Sequence, residues 1–261
     1  MSLHQMEAVI LCGGQGTRLR EETEFKPKPM VEIGGRPILW HIMKRYSRFG
    51  VRRFVLCLGY KGDIIRDYFL RYRYRNADVV VSLKWNDVQV LGEAAAAEDW
   101  EVVLTDTGDN TMTGGRIKRA LSHVKGERFF ATYGDGVADV DMSALLDRHL
   151  SSKRLATVTA VHPSSRYGEI DLQSDSVNSF MEKPQVNGGW INGGFFVFEK
   201  SAFDDVSTDP AVVLEADVLP QLAERQQLSA YLHDGFWQCM DTYREMLMLN
   251  NIYAKGDAPW L

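Results

Sequence analysis

Glu7-Ala8-Val9-Ile10-Leu11-Cys12-Gly13-Gly14-Gln15-Gly16-Thr17-Arg18-Leu19 joins a short apolar run to a loop with three glycines in four residues and an arginine just behind them. Glu7–Cys12 has strand length and no polar alternation, which predicts a buried strand of a parallel sheet. In such sheets ligands bind beyond the carboxyl ends of the strands, where glycines let backbone N–H groups approach an oligophosphate that a Cβ would push away. A tight turn with positive φ asks for glycine equally well, and Arg18 tips the balance toward an anion site. The loop lacks both the Gly-Lys-Ser/Thr ending of a P-loop and the Gly-x-Gly-x-x-Gly of a dinucleotide fold.

Outward from this loop, strands and helices alternate. Pro37–Phe49 predicts a helix with Pro at its first position, an apolar face of Ile38, Leu39, Ile42, Met43, Tyr46 and Phe49, and Gly50 as its stop. Phe54–Leu58, Val79–Leu83, Val102–Thr105, Phe129–Tyr133 and Thr157–Val161 have strand character. Helices are expected from Asp63, over Arg116–Val124 and over Met142–Leu150. After His162 come short alternating strands, Gly168–Leu172, Val177–Met181 and Gly194–Phe198, which predict antiparallel pairing, and then helices near Val213–Arg225 and Thr242–Lys255. The expected fold is α/β: a Rossmann-like, mostly parallel but mixed sheet flanked by helices, with a smaller antiparallel β part and C-terminal helices. One domain is expected over 6–261, divided near residue 160, with residues 1–5 a leader outside it.

Composition narrows the function classes. The 261 residues are 45% apolar and 25% charged, which excludes disorder as the main state. A net charge of −5 gives no global footprint for duplex nucleic acid or an anionic membrane, so positive charge for an anionic substrate must be local. Cys12, Cys57 and Cys239 are few, odd in number and scattered, which points to the cytoplasm. No run of about 18 apolar residues suggests a membrane span.

Lys26-Pro27-Lys28-Pro29-Met30 presents two ammonium groups from a stiffened, extended segment, one of which would face the glycine loop. Together with Gly13-Gly14-Gln15-Gly16-Thr17-Arg18 this resembles the sugar-1-phosphate nucleotidylyltransferases. Asp106-Thr107-Gly108-Asp109, Met112-Thr113-Gly114-Gly115-Arg116, Tyr133-Gly134-Asp135-Gly136-Val137-Ala138-Asp139, Glu182-Lys183-Pro184, Ile191-Asn192-Gly193-Gly194 and Met240-Asp241-Thr242 extend the likeness to the glucose-1-phosphate cytidylyltransferase family over almost all of 6–260. Departures lie at 84–99, in Leu214-Glu215-Ala216-Asp217-Val218-Leu219 and at Cys239, none of them on a phosphate or metal residue.

The resemblance implies transfer of a cytidylyl group from CTP to α-D-glucose 1-phosphate, giving CDP-D-glucose and pyrophosphate, with Mg²⁺ and within a homo-oligomer. The alternatives are a thymidylyl or other nucleotidylyltransferase and a non-catalytic nucleotide-sugar sensor. By this likeness Arg18, Lys28 and Asp135 are catalytic, and Asp135 and Asp241 hold the metal. Leu11, Cys12, Gly13, Gly14, Gln15, Gly16, Thr17, Arg18, Lys28, Thr111, Arg116, Tyr133 and Gly134 bind the nucleotide. Gly168, Glu182, Lys183, Asn192 and Gly193 take the sugar phosphate. Taken by itself, Asp241 before a helix is more often an N-cap than a ligand; Arg116 also has a reading as an exposed first-turn residue, and Cys12 reads as a small buried filler rather than a nucleophile. Arg18, Lys26, Lys28, Arg116 and Lys183 are expected to converge on one cleft.

Overall fold

The computed structural model describes residues 3–14, 16, 19–75, 77–92, 98–163, 169–173, 176–181 and 189–261. Successive side chains of the first strand, Glu7–Leu11, enter two different apolar clusters. Ala8 and Ile10 pack with Ile38, Leu39, Ile42, Met43 and Tyr46 of helix Ile38–Arg48. Val9 and Leu11 pack with Ile117 and Ala120 of helix Thr113–Ala120 and with Leu222 of helix Leu219–Glu224. Layers on both faces bury all five residues, which is why the run shows no polar alternation.

Glu7–Leu11 pairs in parallel with Arg53–Leu58 and Arg128–Tyr133, and Arg53–Leu58 pairs in parallel with Glu101–Asp106. Phe196–Glu199 runs antiparallel to both Arg128–Tyr133 and Ala156–Val161, and Leu228–His233 lies parallel to Ala156–Val161. The result is the expected mixed, mostly parallel sheet with helices on its faces. Glu169–Gln173 and Ser176–Met181 form the expected small antiparallel pair.

Three elements differ from expectation. Asp78–Ser82 stays outside the sheet and folds back on Asp87–Leu91 as a hairpin. The turn through Asn86, at φ 49°, follows too soon for a parallel crossover, which needs about a dozen residues. Leu228–His233 has no clear sequence signal because Leu232 faces outward and its apolar run is broken. The helix expected at Val213–Arg225 starts as a π-helical turn, Leu214–Val218, and becomes α-helical only at Leu219–Glu224.

Register then gathers the site. Leu11 lies opposite both Cys57 and Tyr133, so the loops that follow the first strand and Arg128–Tyr133 leave the same rim. Because Phe196–Glu199 runs the other way, the residues before it reach that rim too. A two-stranded ribbon, Gly136–Ala138 with Trp237–Cys239, pairs Gly136 with Cys239, and Met240 N–H donates to the Asp135 carbonyl at 2.8 Å. Asp135 and Asp241 therefore emerge side by side, although 106 residues separate them. Among the described residues no helix is long and apolar enough to cross a membrane.

Candidate active site

Pro27 holds extended backbone at φ −68° and ψ 151°, and a single 3-10 turn, Lys28–Met30, follows. This turns Lys28 inward, to 9% exposure, and leaves Lys26 outside in an ion pair with Glu22 at 3.3 Å. The Lys28 ammonium donates to Asp135 Oδ2 at 2.6 Å and to Asp241 Oδ1. Burial works against its charge, but Asp135 and then Asp241 outweigh that cost and the Lys28 pKa is raised. Asp241 is not the helix cap. Thr242 caps Tyr243–Ala254 in a capping box with Glu245, while the Asp241 carboxylate accepts from Lys28.

Behind this cluster lies a cleft of about 540 Å³. Leu11, Gly13, Gly14, Gly16, Lys28, Thr111, Arg116, Tyr133, Gly134 and Asp135 line it, together with Pro29, Asp109, Asn110, Met112 and Thr113. The second group was not expected at the site, although its members lie in or beside the same motif loops. Cys12 sits beneath the loop, fully buried, with its N–H donated to the Cys57 carbonyl and its thiol pKa raised well above the usual value by burial.

Arg116 is buried in helix Thr113–Ala120, at 4% exposure, and so is not the exposed first-turn residue that its position alone would allow. Its Nη1 donates to the Leu58 carbonyl and Thr107 Oγ1, and its Nη2 to the carbonyls of Gly13 and Asp109, at 2.7 to 3.1 Å. Burial lowers its pKa, so these oxygens, rather than a close carboxylate, carry the solvation of the cation. A Cβ on Gly13 would stand 2.1 Å from the Arg116 guanidinium carbon, and one on Gly59 2.4 Å from Nη1. Gly13 is thus required by a protein side chain, whereas a Cβ on Gly14 would meet nothing within 4 Å and would point into open space. A Cβ on Gly134 would stand 2.7 Å from the Leu11 carbonyl oxygen and 3.0 Å from Pro29 Cγ, so this glycine lets the two loops pack closely.

Tyr133 links the cleft to the strand edge beyond it. Its hydroxyl receives a hydrogen bond from Asn192 Nδ2 at 2.9 Å and donates to Glu215. Gly193 commits its N–H to the Thr159 carbonyl and its own carbonyl to Trp237 Nε1. Lys28 and Arg116 therefore share the cleft, while Lys26 does not. Gln15, Thr17, Arg18, Gly168, Glu182 and Lys183 lie outside the described residues.

Two carboxylates closing on one cation beside a glycine-loop cleft suit a phosphoryl or nucleotidyl transfer, which needs positioning and charge neutralisation more than covalent chemistry. Residues 7–255 match the nucleotidyl transferase family. The chain is 50% identical over 256 residues to a glucose-1-phosphate cytidylyltransferase of Salmonella typhi, covering 98% of each. It is 40% identical to a probable glucose-1-phosphate cytidylyltransferase of Bacillus subtilis, covering 98% of this chain and 99% of the relative. Crystalline HddC from Yersinia pseudotuberculosis, complexed with GMP-PN, superposes with a TM-score of 0.67 at 25% identity, covering 95% of this chain and 99% of that one. The chain belongs to the nucleotidyl transferase family, and within it to the glucose-1-phosphate cytidylyltransferases.

Proposed function

We propose that the protein transfers a cytidylyl group from CTP to α-D-glucose 1-phosphate, releasing pyrophosphate and forming CDP-D-glucose. The observation that carries this is the Lys28 ammonium clasped by Asp135 and Asp241 at the cleft. Hard oxygen donors that already close on a cation suit Mg²⁺, which takes one or two carboxylates plus phosphate oxygens. Bound to Asp135 and Asp241, Mg²⁺ would supply neutralisation of phosphate charge during in-line displacement.

The chain's own groups supply the rest. Lys28, released from its two carboxylates, bears on the phosphates at the reacting centre. The backbone at Gly14 faces the open cleft, where a triphosphate has room to approach. Thr111 and Tyr133 border the space for base and ribose, with Arg116 holding the loop beneath them. We assign Arg18 to the leaving pyrophosphate, and Gly168, Glu182, Lys183, Asn192 and Gly193 to the sugar phosphate, by resemblance. No protein nucleophile is needed, in keeping with the buried, protonated Cys12. The same proposal includes a cytoplasmic location and a homo-oligomer.

Pyrophosphate release measured across CTP, dTTP, UTP, ATP and GTP with several sugar 1-phosphates tests the assignment. CTP with glucose 1-phosphate is expected to give the highest kcat/KM, and Asp135→Asn to abolish Mg²⁺-stimulated turnover. Release with dTTP alone would move the chain to thymidylyl transfer. No release with any pair would overturn the proposal.

A further inference from the structure

The segment 209–218 packs on the helix that begins at Thr113, and the contact explains two glycines of the Met112-Thr113-Gly114-Gly115-Arg116 motif. A Cβ on Gly114 would meet Val212 Cγ1 at 2.7 Å, and one on Gly115 the Asp209 carbonyl at 2.9 Å. Met112 N–H and Gly115 N–H donate to the carbonyls of Pro210 and Val212, and Leu214 N–H donates to Thr113 Oγ1 at 2.8 Å. This docking seats the π-helical turn Leu214–Val218, a rare geometry that recurs at functional sites. It delivers Glu215 to the rim of the cleft.

Glu215 ends two hydrogen-bond chains whose directions are fixed. Thr113 Oγ1 accepts from Leu214 N–H, so its proton goes to Glu215 Oε2 at 2.7 Å. Gly194 N–H donates to Asn192 Oδ1 at 2.9 Å, which orients the amide and makes Nδ2 the atom facing Tyr133. Tyr133 accepts from that Nδ2, and its own proton goes to Glu215 Oε1. An ionised carboxylate accepts on both oxygens, so it alone among side chains of this length satisfies both donors at once. The Asn192 amide has two N–H groups and two lone pairs, and the bonds to Tyr133 and Gly194 use one of each. In the hydrogen bonds of the described residues the amide thus keeps one N–H and one lone pair, a donor and an acceptor that a ring hydroxyl can use.

We propose that Glu215 is a positioning residue for the sugar: through Tyr133 it fixes the Asn192 amide so that it presents one donor and one acceptor to a hydroxyl of the sugar 1-phosphate. It rests on the cytidylyltransferase assignment above. The same carboxylate also grips Thr113 at the edge of the nucleotide cleft, so one group ties the two substrate sides together.

Steady-state kinetics of Glu215→Gln and Tyr133→Phe test this. Gln offers one acceptor oxygen and one donor amide, so one of the two chains must reverse or break; Phe keeps the ring and removes only the hydroxyl. Each variant is expected to raise KM for glucose 1-phosphate about tenfold, the cost of one misaligned hydrogen bond to a substrate hydroxyl, with a clearly smaller rise in KM for CTP and a melting temperature close to wild type. The double variant's rise in KM for the sugar phosphate is expected to fall well short of the product of the two single rises, because both act on the Tyr133–Asn192 chain. Unchanged KM for the sugar phosphate in an active protein, or an equal rise in both KM values, would overturn the inference and leave the assigned activity standing. A wild-type protein with no turnover would instead overturn the assignment and, with it, this role.

Discussion

Gly13 and Gly14 are neighbours in one loop with opposite reasons to lack a side chain, and alanine substitution separates them. In Gly13→Ala the new Cβ would lie 2.1, 2.2 and 2.6 Å from the Arg116 guanidinium carbon, Nη1 and Nη2. The guanidinium is also packed closely against Gly59, where a Cβ would stand 2.4 Å from Nη1. Restoring ordinary contact at 3.4 Å moves the group by more than about 1 Å, which stretches bonds now at 3.0 and 3.1 Å past the hydrogen-bond limit. Losing two of its four bonds, at about 1.5–3 kcal/mol each for a charged donor, costs roughly 3–6 kcal/mol. For a chain of this size, at about 2 °C per kcal/mol, that lowers the melting temperature by about 6–12 °C. Gly14→Ala meets nothing, so its melting temperature should stay within about 2 °C while KM for CTP rises, the methyl group standing where phosphate would approach. Thermal unfolding followed by circular dichroism, with CTP titrations of both variants, decides the matter. A Gly13→Ala protein that melts with the wild type, or two variants with the same profile, would show that Arg116 is not wedged between the glycines.

Lys28→Ala should lower turnover about a hundredfold or more through loss of roughly 3 kcal/mol of preorganised charge, without unfolding the protein. It should also tighten Mn²⁺ binding measured by electron paramagnetic resonance, because the ammonium no longer competes for Asp135 and Asp241; weaker binding would show that Lys28 supports the metal instead. His41 gives a pH prediction. Its Nε2 donates to the Ile33 carbonyl and its Nδ1 accepts from Trp260, so the buried ring is neutral, and burial lowers its pKa to about 4. Because the folded value lies below the unfolded one, its contribution is fully present above about pH 6.5 and is lost as pH falls toward 4, by up to roughly 3 kcal/mol. Denaturant unfolding of His41→Gln between those values should show a shallower loss of stability than wild type; equal slopes would refute the assignment.

The sheet was legible because burial on both faces leaves an uninterrupted apolar run, as in Glu7–Leu11 and Arg53–Leu58. The Asp78–Leu91 hairpin was not, because β-branched residues favour strands whether or not a sheet receives them, and Val80 and Val81 are exposed. At the site, sequence motifs located the loops, and the pairing of Gly136 with Cys239 brought their carboxylates together as the resemblance implied. Motifs did not disclose what each glycine makes room for. Gly13 and Gly134 line the cleft and also make room for Arg116 and for Leu11 and Pro29, while Gly114 and Gly115 admit the segment bearing Glu215. Those contacts join residues far apart in sequence, and no local pattern encodes them.

A net charge of −5 and a cleft for phosphorylated anions are compatible because the cations described in the cleft are already balanced. Lys28 is held by two carboxylates, and Arg116 by four oxygen dipoles. The two arrangements predict different behaviour. A cation held by carboxylates can be exchanged: if a divalent ion takes Asp135 and Asp241, the ammonium is freed toward phosphate, and the number of close ion contacts is nearly conserved. A cation held by backbone carbonyls of Gly13, Leu58 and Asp109 cannot leave without unmaking the loops that donate them. Among the described cations of the cleft, Lys28 is therefore the exchangeable one and Arg116 the fixed one, and the surplus acidic residues of the chain need no part in either.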